Sequence, residues 1–293
     1  MDGLTRDGAA WRPDLIVIEC SLVTPAGSEA VLRQMGLLTE FNKVLVKTAE
    51  EEKSIAAAFD ALNEVRRELG LDAARLDAGH IHVVDECEFW QRYGNSRRAF
   101  TEFGHVFLPR RYLLLNFLQD LTHEIVHLSS LRAVVDPMRP KDETVRYMRS
   151  GFSPLDGRAL TQRWRFSGFN EGVTELLAVE VRKRLVAKTV LLNETMAEVL
   201  VKDLSYRVQV RLVGELIGLA GGSDEAAARR TVFLDYFNRS PVFLKKLARA
   251  RSGAVCLLSM MSTDAETLDV AEKLGFEEAA AAIRRYMCRR RRR

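Results

Sequence analysis

The chain has 293 residues, 47% of them hydrophobic and 29% charged, a composition that excludes a largely disordered polymer. No apolar run approaches the roughly 20 residues that cross a bilayer, and the first apolar segment, LIVIE, is too short and too polar-flanked for a secretory leader, so a cytoplasmic location is expected. The net charge of +4 is mild, and Cys20, Cys87, Cys256 and Cys288 show no CxxC spacing, which argues against a cysteine-based zinc knuckle and for free, mostly buried thiols.

LIVIE (15–19) and KVLVK (43–47) read as short strands bounded by polar residues. Thr48 to Glu51 fits a capping box; the helix that it opens is expected to run to about Leu69, with Ile55, Phe59, Leu62 and Val65 on one face and Gly70 as its stop. HIHVVDE (80–86) alternates as a strand does. A short helix or turn follows around Phe89–Arg92, Gly94–Ser96 breaks it, and FGHVFLP (103–109) resumes as a strand that Pro109 ends. From about Arg111 to Ser130 the pattern is helical, with Leu114, Leu118, Leu121, Ile125 and Leu128 on a broad apolar face.

Residues 131–169 contain Pro137, Pro140 and Pro154 and read as a long excursion, with a hairpin made from VRYMRSGF and WRFSGF. Long connections in compact domains commonly line active sites. From Glu171 onward the pattern predicts helices at 171–187, 193–219, 225–237, 241–251, 264–274 and 276–288. The expected fold is α+β: a mixed α/β lobe over 1–130, the excursion 131–169, a helical lobe 170–288 and a basic tail 289–293. The last ten residues, RRYMCRRRRR, hold seven arginines; a solvated, mobile end is the plain expectation, with weak contact to an acidic partner or nucleic acid as the other.

The chemistry concentrates in LTHEIVHLSS (121–130). Residues four apart on a helix point the same way, so His123 and His127 can converge on one ion. Glu124 then faces the ion's open side as a general base, completing HExxH. A catalytic zinc site usually takes three protein ligands. In FNEGVTE (169–175), Asn170 is a candidate cap, Glu171 in the first turn is the candidate third ligand, and Glu175 can accept the remaining N–H of a ligand histidine. Without the upstream motif, Glu171 reads first as a charge favoured by a helix N-terminus.

HEIVH (123–127) with NEGVTE (170–175) resembles the gluzincin type of zincin metallopeptidase. The resemblance implies Zn2+ held by His123, His127 and Glu171, Glu124 as general base, and Glu175 supporting a ligand histidine. It also implies the zincin fold: a mixed sheet over the active-site helix, followed by a mainly helical lobe. The expected reaction is hydrolysis of a peptide or protein substrate. The chain departs from the family's pattern in three ways: 43 residues separate His127 from Glu171, longer than the family's usual connection; no GxMEN stretch is present; and no histidine follows His127. The oxyanion donor must therefore be another residue, with Tyr206 as first candidate and Tyr147 as second.

Arg146, Arg149, Arg163 and Arg165 are candidates for a basic rim. His80 and His82 share a strand face, and His105 approaches substrate if its strand is the edge that lines the cleft. The alternatives to an enzyme are a catalytically silent, zinc-binding zincin-like scaffold and a nucleic-acid-binding protein acting through the arginine tail.

Overall fold

A computed structural model describes residues 16–19, 28–35, 38–76, 78–94, 98–111, 113–135, 145–156, 166–188, 192–238 and 240–290. The chain begins with β1 (Ile16–Glu19), α1 (Ser28–Gln34) and α2 (Ala49–Glu68), then a 3-10 turn at Ala78–His80 leads into β2 (Ile81–Val84). Next come α3 (Glu86–Tyr93), β3 (Phe100–Glu102), β4 (His105–Pro109) and α4 (Leu114–Ser130). Three strands follow, β5 (Arg132–Val135), β6 (Val145–Ser150) and β7 (Ser153–Asp156), and then the long α5 (Ser167–Lys188). The remainder is helical: α6 (Glu194–Lys202), α7 (Arg207–Gly221), α8 (Glu225–Asn238), α9 (Val242–Ala250), α10 (Ala254–Met260), α11 (Asp264–Lys273) and α12 (Glu277–Arg290). The architecture is α+β, mostly helical with two small sheets.

One sheet is mixed, in the order β2-β4-β3, with β2 parallel and β3 antiparallel to β4. The other is antiparallel in the order β1-β5-β6-β7, so its first strand comes from the N-terminal end of the chain and the rest from beyond α4. The main core runs through α2, β2, β4, α4, α5, α7 and α8, so the sheet-bearing and helical parts share one apolar interior. Its backbone is α5, which packs on α2, α4 and α7.

The local signals explain most of this. Thr48 accepts the Glu51 amide at 3.1 Å while Glu51 Oε2 accepts the Thr48 amide at 2.7 Å, a reciprocal capping box, and Ile55, Phe59, Leu62 and Val65 are all buried. Gly70 follows the helix with φ +81. Pro109 is the last residue of β4, as its missing N–H requires.

Other expectations need correction. Residues 43–47 form no strand: Val44 makes one isolated bridge to Val84, and Val46 is 90% exposed, so the alternation has no buried face. The second arm of the hairpin is Ser153–Asp156 and not WRFSGF, whose last three residues open α5; Trp164 and Arg165 lie outside the described residues. The helix expected over 193–219 breaks at residues 203–206, and α10 is an additional helix. Arg289 and Arg290 continue α12, with Arg290 paired to Asp264; residues 291–293 are outside the described set. Cys87, Cys256 and Cys288 are free but exposed, not buried, and Cys20 lies outside the described residues. No helix among the described residues is long and apolar enough to cross a membrane.

Candidate metal centre

Helix α4 carries its polar chemistry inside the protein: Thr122, His123 and Glu124 are all buried in its middle, as are Gln119, Asp120, Ser129 and Ser130 along it. Such groups persist only when partners satisfy them. The partners of Thr122 and His123 come from α5, and that of Glu124 from β3. His123 Nε2 lies 3.1 Å and His127 Nε2 3.3 Å from the same Glu171 Oε2, and the two imidazole nitrogens are 3.2 Å apart. These three atoms form a nearly equilateral triangle that could hold a metal ion.

His123 Nδ1 lies 2.8 Å from Glu175 Oε2, a carboxylate oxygen that can only accept, so Nδ1 carries the proton. Thr174 donates to the Asn170 carbonyl at 2.8 Å, which leaves it to accept from Tyr236 at 2.7 Å, so the tyrosine oxygen is free to accept from His127 Nδ1 at 3.4 Å. Ser150 Oγ lies 3.3 Å from the same Nδ1. In its neutral form each ring would therefore turn an Nε2 lone pair toward the Glu171 carboxylate. Three acceptors meet there, and a positive charge is needed between them.

Without a metal, protons fill that role. Burial alone would lower the His123 pKa, but hydrogen bonds and charge from Glu171 and Glu175 outweigh it and push it up to about 10. Burial would raise Glu171, yet the His127 and His123 rings hold it well below the usual carboxylate range. Since the His123 pKa lies above its unfolded value near 6.5, protonated His123 stabilises the metal-free fold fully below that pH, and this contribution fades as pH climbs toward about 10. The melting temperature of metal-free protein is expected to fall across this window, and to fall less in Glu171→Gln; a wild-type melting temperature that rises there would contradict the assignment.

Glu175 is fully buried and anchored on both sides. Burial opposes its ionisation, but His123 and Arg182 bring its pKa down to about 2. Its second oxygen accepts from Arg182 Nη2 at 2.6 Å and from the Ser205 amide at 3.3 Å. Arg182, also with no exposed surface, donates onward to Thr122 Oγ1 at 3.1 Å and to the Leu200 and Asp203 carbonyls. This ladder joins α4, α5 and the end of α6 behind His123.

Two glycines set the approach of the surrounding elements. A Cβ on Gly172 would lie 2.7 Å from Val213 Cγ2 and 3.0 Å from the Gln209 backbone, so the glycine beside Glu171 lets α7 close onto α5. Gly151, at φ +53, turns β6 into β7 directly against Tyr236 and Asn170. Asn170 is not a helix cap: α5 begins at Ser167, and the Asn170 side chain instead accepts the Phe152 amide at 2.8 Å. Glu171 accordingly lies beyond the first turn, and a simple end-of-helix charge does not account for it.

The triad opens on a cleft of about 1250 Å3 lined by β3, α4, the β6–β7 turn, α5, the segment 205–209 and parts of α11 and α12. Glu124 lines it, and Thr101 on the edge strand β3 donates a hydrogen bond at 2.9 Å to the Glu124 carboxylate. The break at 203–206 brings Tyr206 into the cleft, its ring stacked on His123 at 5.0 Å between centroids. The Glu171 charge, followed by burial and the Glu124 charge, raises the Tyr206 pKa and keeps its hydroxyl protonated.

Other sequence candidates fall elsewhere. Tyr147 lies on β6 with its side chain outside those described, as is that of Arg146; Arg163 and Arg165 are outside the described residues. Arg149 donates to the Gly151 carbonyl at 2.7 Å and does not line the cleft. His105 belongs to the central strand β4, not to the edge, and its Nδ1 lies 2.9 Å from His82 Nε2; the His80 ring lies tilted beside it, 6.0 Å between centroids. Sequence reading missed Arg98, Thr101, Asp120, Ser150, Arg182 and Tyr236. Of these only Arg182, seven residues after Glu175 on one helix face, had a local signal. No protein-family model, curated protein or solved structure matches the chain.

Proposed function

We propose that the chain is a zinc-dependent hydrolase, a peptidase with a zincin-like fold of the gluzincin type. One observation carries this reading: two imidazole Nε2 atoms and a carboxylate oxygen stand 3.1–3.3 Å apart, with Glu124 beside them on an open cleft. Ligand atoms about 2.0–2.1 Å from a tetrahedral zinc are about 3.3–3.4 Å from one another, so the triangle fits that ion with little rearrangement. The donor set, two neutral histidines and one carboxylate with the histidine N–H groups held from behind, is also what zinc favours in catalytic sites.

When bound, zinc supplies Lewis-acid polarisation of water and of a scissile carbonyl. Glu124 takes the proton of the attacking water and returns it to the leaving amine. Thr101 holds the carboxylate that does this, binding its Oε2 and leaving Oε1 without that bond. The protonated Tyr206 hydroxyl donates to the oxyanion as the carbonyl becomes tetrahedral, and its stacking on His123 fixes it beside the reacting atoms. Glu175 and Arg182 keep the His123 lone pair directed inward. Cleavage of a mixed-sequence peptide library is expected to stop when a strong chelator strips the protein and to return on adding zinc. Cleavage that is unaffected by stripping would remove the metal from the reaction.

A further inference from the structure

The cleft contains a cation that the proposed hydrolysis does not use. Asp120 lies one helical turn, about 5.4 Å along the axis, before His123 and Glu124. Its two oxygens face two guanidiniums, with Arg98 Nε at 3.1 Å and Arg111 Nε at 3.0 Å. One carboxylate thus balances two arginines. The second arginine is closed off: Arg111 donates to the Arg98 carbonyl at 3.1 Å, lies against the Trp90 ring at 5.4 Å and does not line the cleft. Arg98 does line it, and its side chain is 42% exposed.

The remaining hydrogen bonds of Arg98 go to neutral partners and are long, 3.5 Å to Ser205 Oγ and 3.3 Å to Gln119 Oε1; it also lies in the field of Asp203, whose ion pair is with Arg207. The other arginines that line the cleft are matched, Arg207 by Asp203 and Arg290 by Asp264. Among the acids of the lining, Glu102 accepts the Thr39 amide at 2.7 Å, while Glu171 and Glu124 belong to the reacting centre. Among the described residues that line the cleft, the arginine whose charge is shared with a second arginine on one carboxylate is Arg98. Its position is also fixed: Asp120 holds it on one side, and on the other it touches Ser205, the residue before Tyr206, whose ring stacks on His123.

We infer that Arg98 forms a carboxylate-binding subsite beside the reacting centre, so that the cleft selects peptides bearing an acidic group next to the bond presented to Glu124. The inference rests on the peptidase reading for its substrate, although the charge imbalance stands without it. Both an acidic side chain and a chain-terminal carboxylate offer the planar, two-oxygen acceptor that a guanidinium pairs with.

The test uses the full chain carrying Glu124→Gln, as purified, so that bound peptide persists. Fluorescent peptides differing at one central position (Glu, Gln or Lys) are titrated by anisotropy, each with a free and an amidated C-terminus. The Glu peptide is expected to bind at least about tenfold more tightly than its Gln twin, with the advantage reduced by salt. Arg98→Ala should abolish the preference and Arg98→Lys should retain part of it, each checked for an unchanged melting temperature. If preference follows the free C-terminus and not the central Glu, the subsite takes the terminal carboxylate; if it follows the central Glu, it takes the side chain. Affinities that change neither with the central Glu nor with amidation of the C-terminus, no measurable binding of any acidic peptide, or a preference that survives Arg98→Ala would overturn the inference. Absence of hydrolysis by the wild-type chain with the acidic preference intact would overturn the peptidase reading alone.

Discussion

Glu124→Gln is expected to lower peptide hydrolysis by about 10²–10⁴-fold, the usual contribution of a positioned general base. Glutamine has nearly the same volume, and its amide oxygen can still accept from Thr101, so the local packing is preserved. What disappears is the ability to take a proton. His123, His127 and Glu171 hydrogen-bond one another and not the Glu124 side chain, so the candidate metal-binding triad is left whole. The comparison is therefore kcat and KM for wild type and variant at matched metal content. Equal cleavage by both would remove Glu124 from the mechanism and with it the main reason for reading the site as hydrolytic.

Arg182→Met is expected to be the most destabilising single change at the site, by about 3–5 kcal/mol, because it leaves a buried carboxylate without its counter-charge. Arg182 and Glu175 have no exposed surface, and water cannot replace the lost partner without opening the interior. Arg182 also satisfies the Leu200 and Asp203 carbonyls and thereby holds the end of α6, just before the turn that delivers Tyr206. Glu175→Gln combined with Arg182→Met should lose less than the sum of the single changes, since neither charge is then stranded. Denaturant unfolding of the single and double variants measures this coupling. A loss under about 1 kcal/mol, the range of exposed pairs, would mean that the pair is solvated and that the ladder does not hold His123.

What could be read in the sequence was local. The capping box at Thr48–Glu51, the stop at Pro109 and the burial of one helix face on α2 depend on residues within a turn or two of each other. The positions of the two site helices were legible for the same reason: HEIVH and NEGVTE place polar side chains at helical spacing inside apolar patterns. Their meeting is a long-range fact, but it was inferable because ligand chemistry demands a third donor.

The unread parts are those fixed by distant partners. Ser150 and Tyr236 approach His127 only because the β6–β7 turn packs on α8, and no spacing in the chain signals it. The three-residue strand β3 is too short for its alternation to register, yet it positions Thr101 against Glu124. The break between α6 and α7 lies in DLSYR, which has neither glycine nor proline; it is stabilised by the Arg182 and Gln119 contacts to Asp203 and by the Ser205 amide bonding Glu175. In the last case tertiary contacts override a locally acceptable helix.

The account rests on His123, His127 and Glu171 holding one zinc ion. Elemental analysis of the full chain, purified with zinc and freed of loosely bound metal, tests this directly. About one zinc per chain is predicted for the wild type and for Glu124→Gln, with clear loss in Glu171→Ala, because removing one of three protein ligands weakens a catalytic-type site strongly. Full zinc occupancy in Glu171→Ala, or a wild-type chain that binds none, would contradict it.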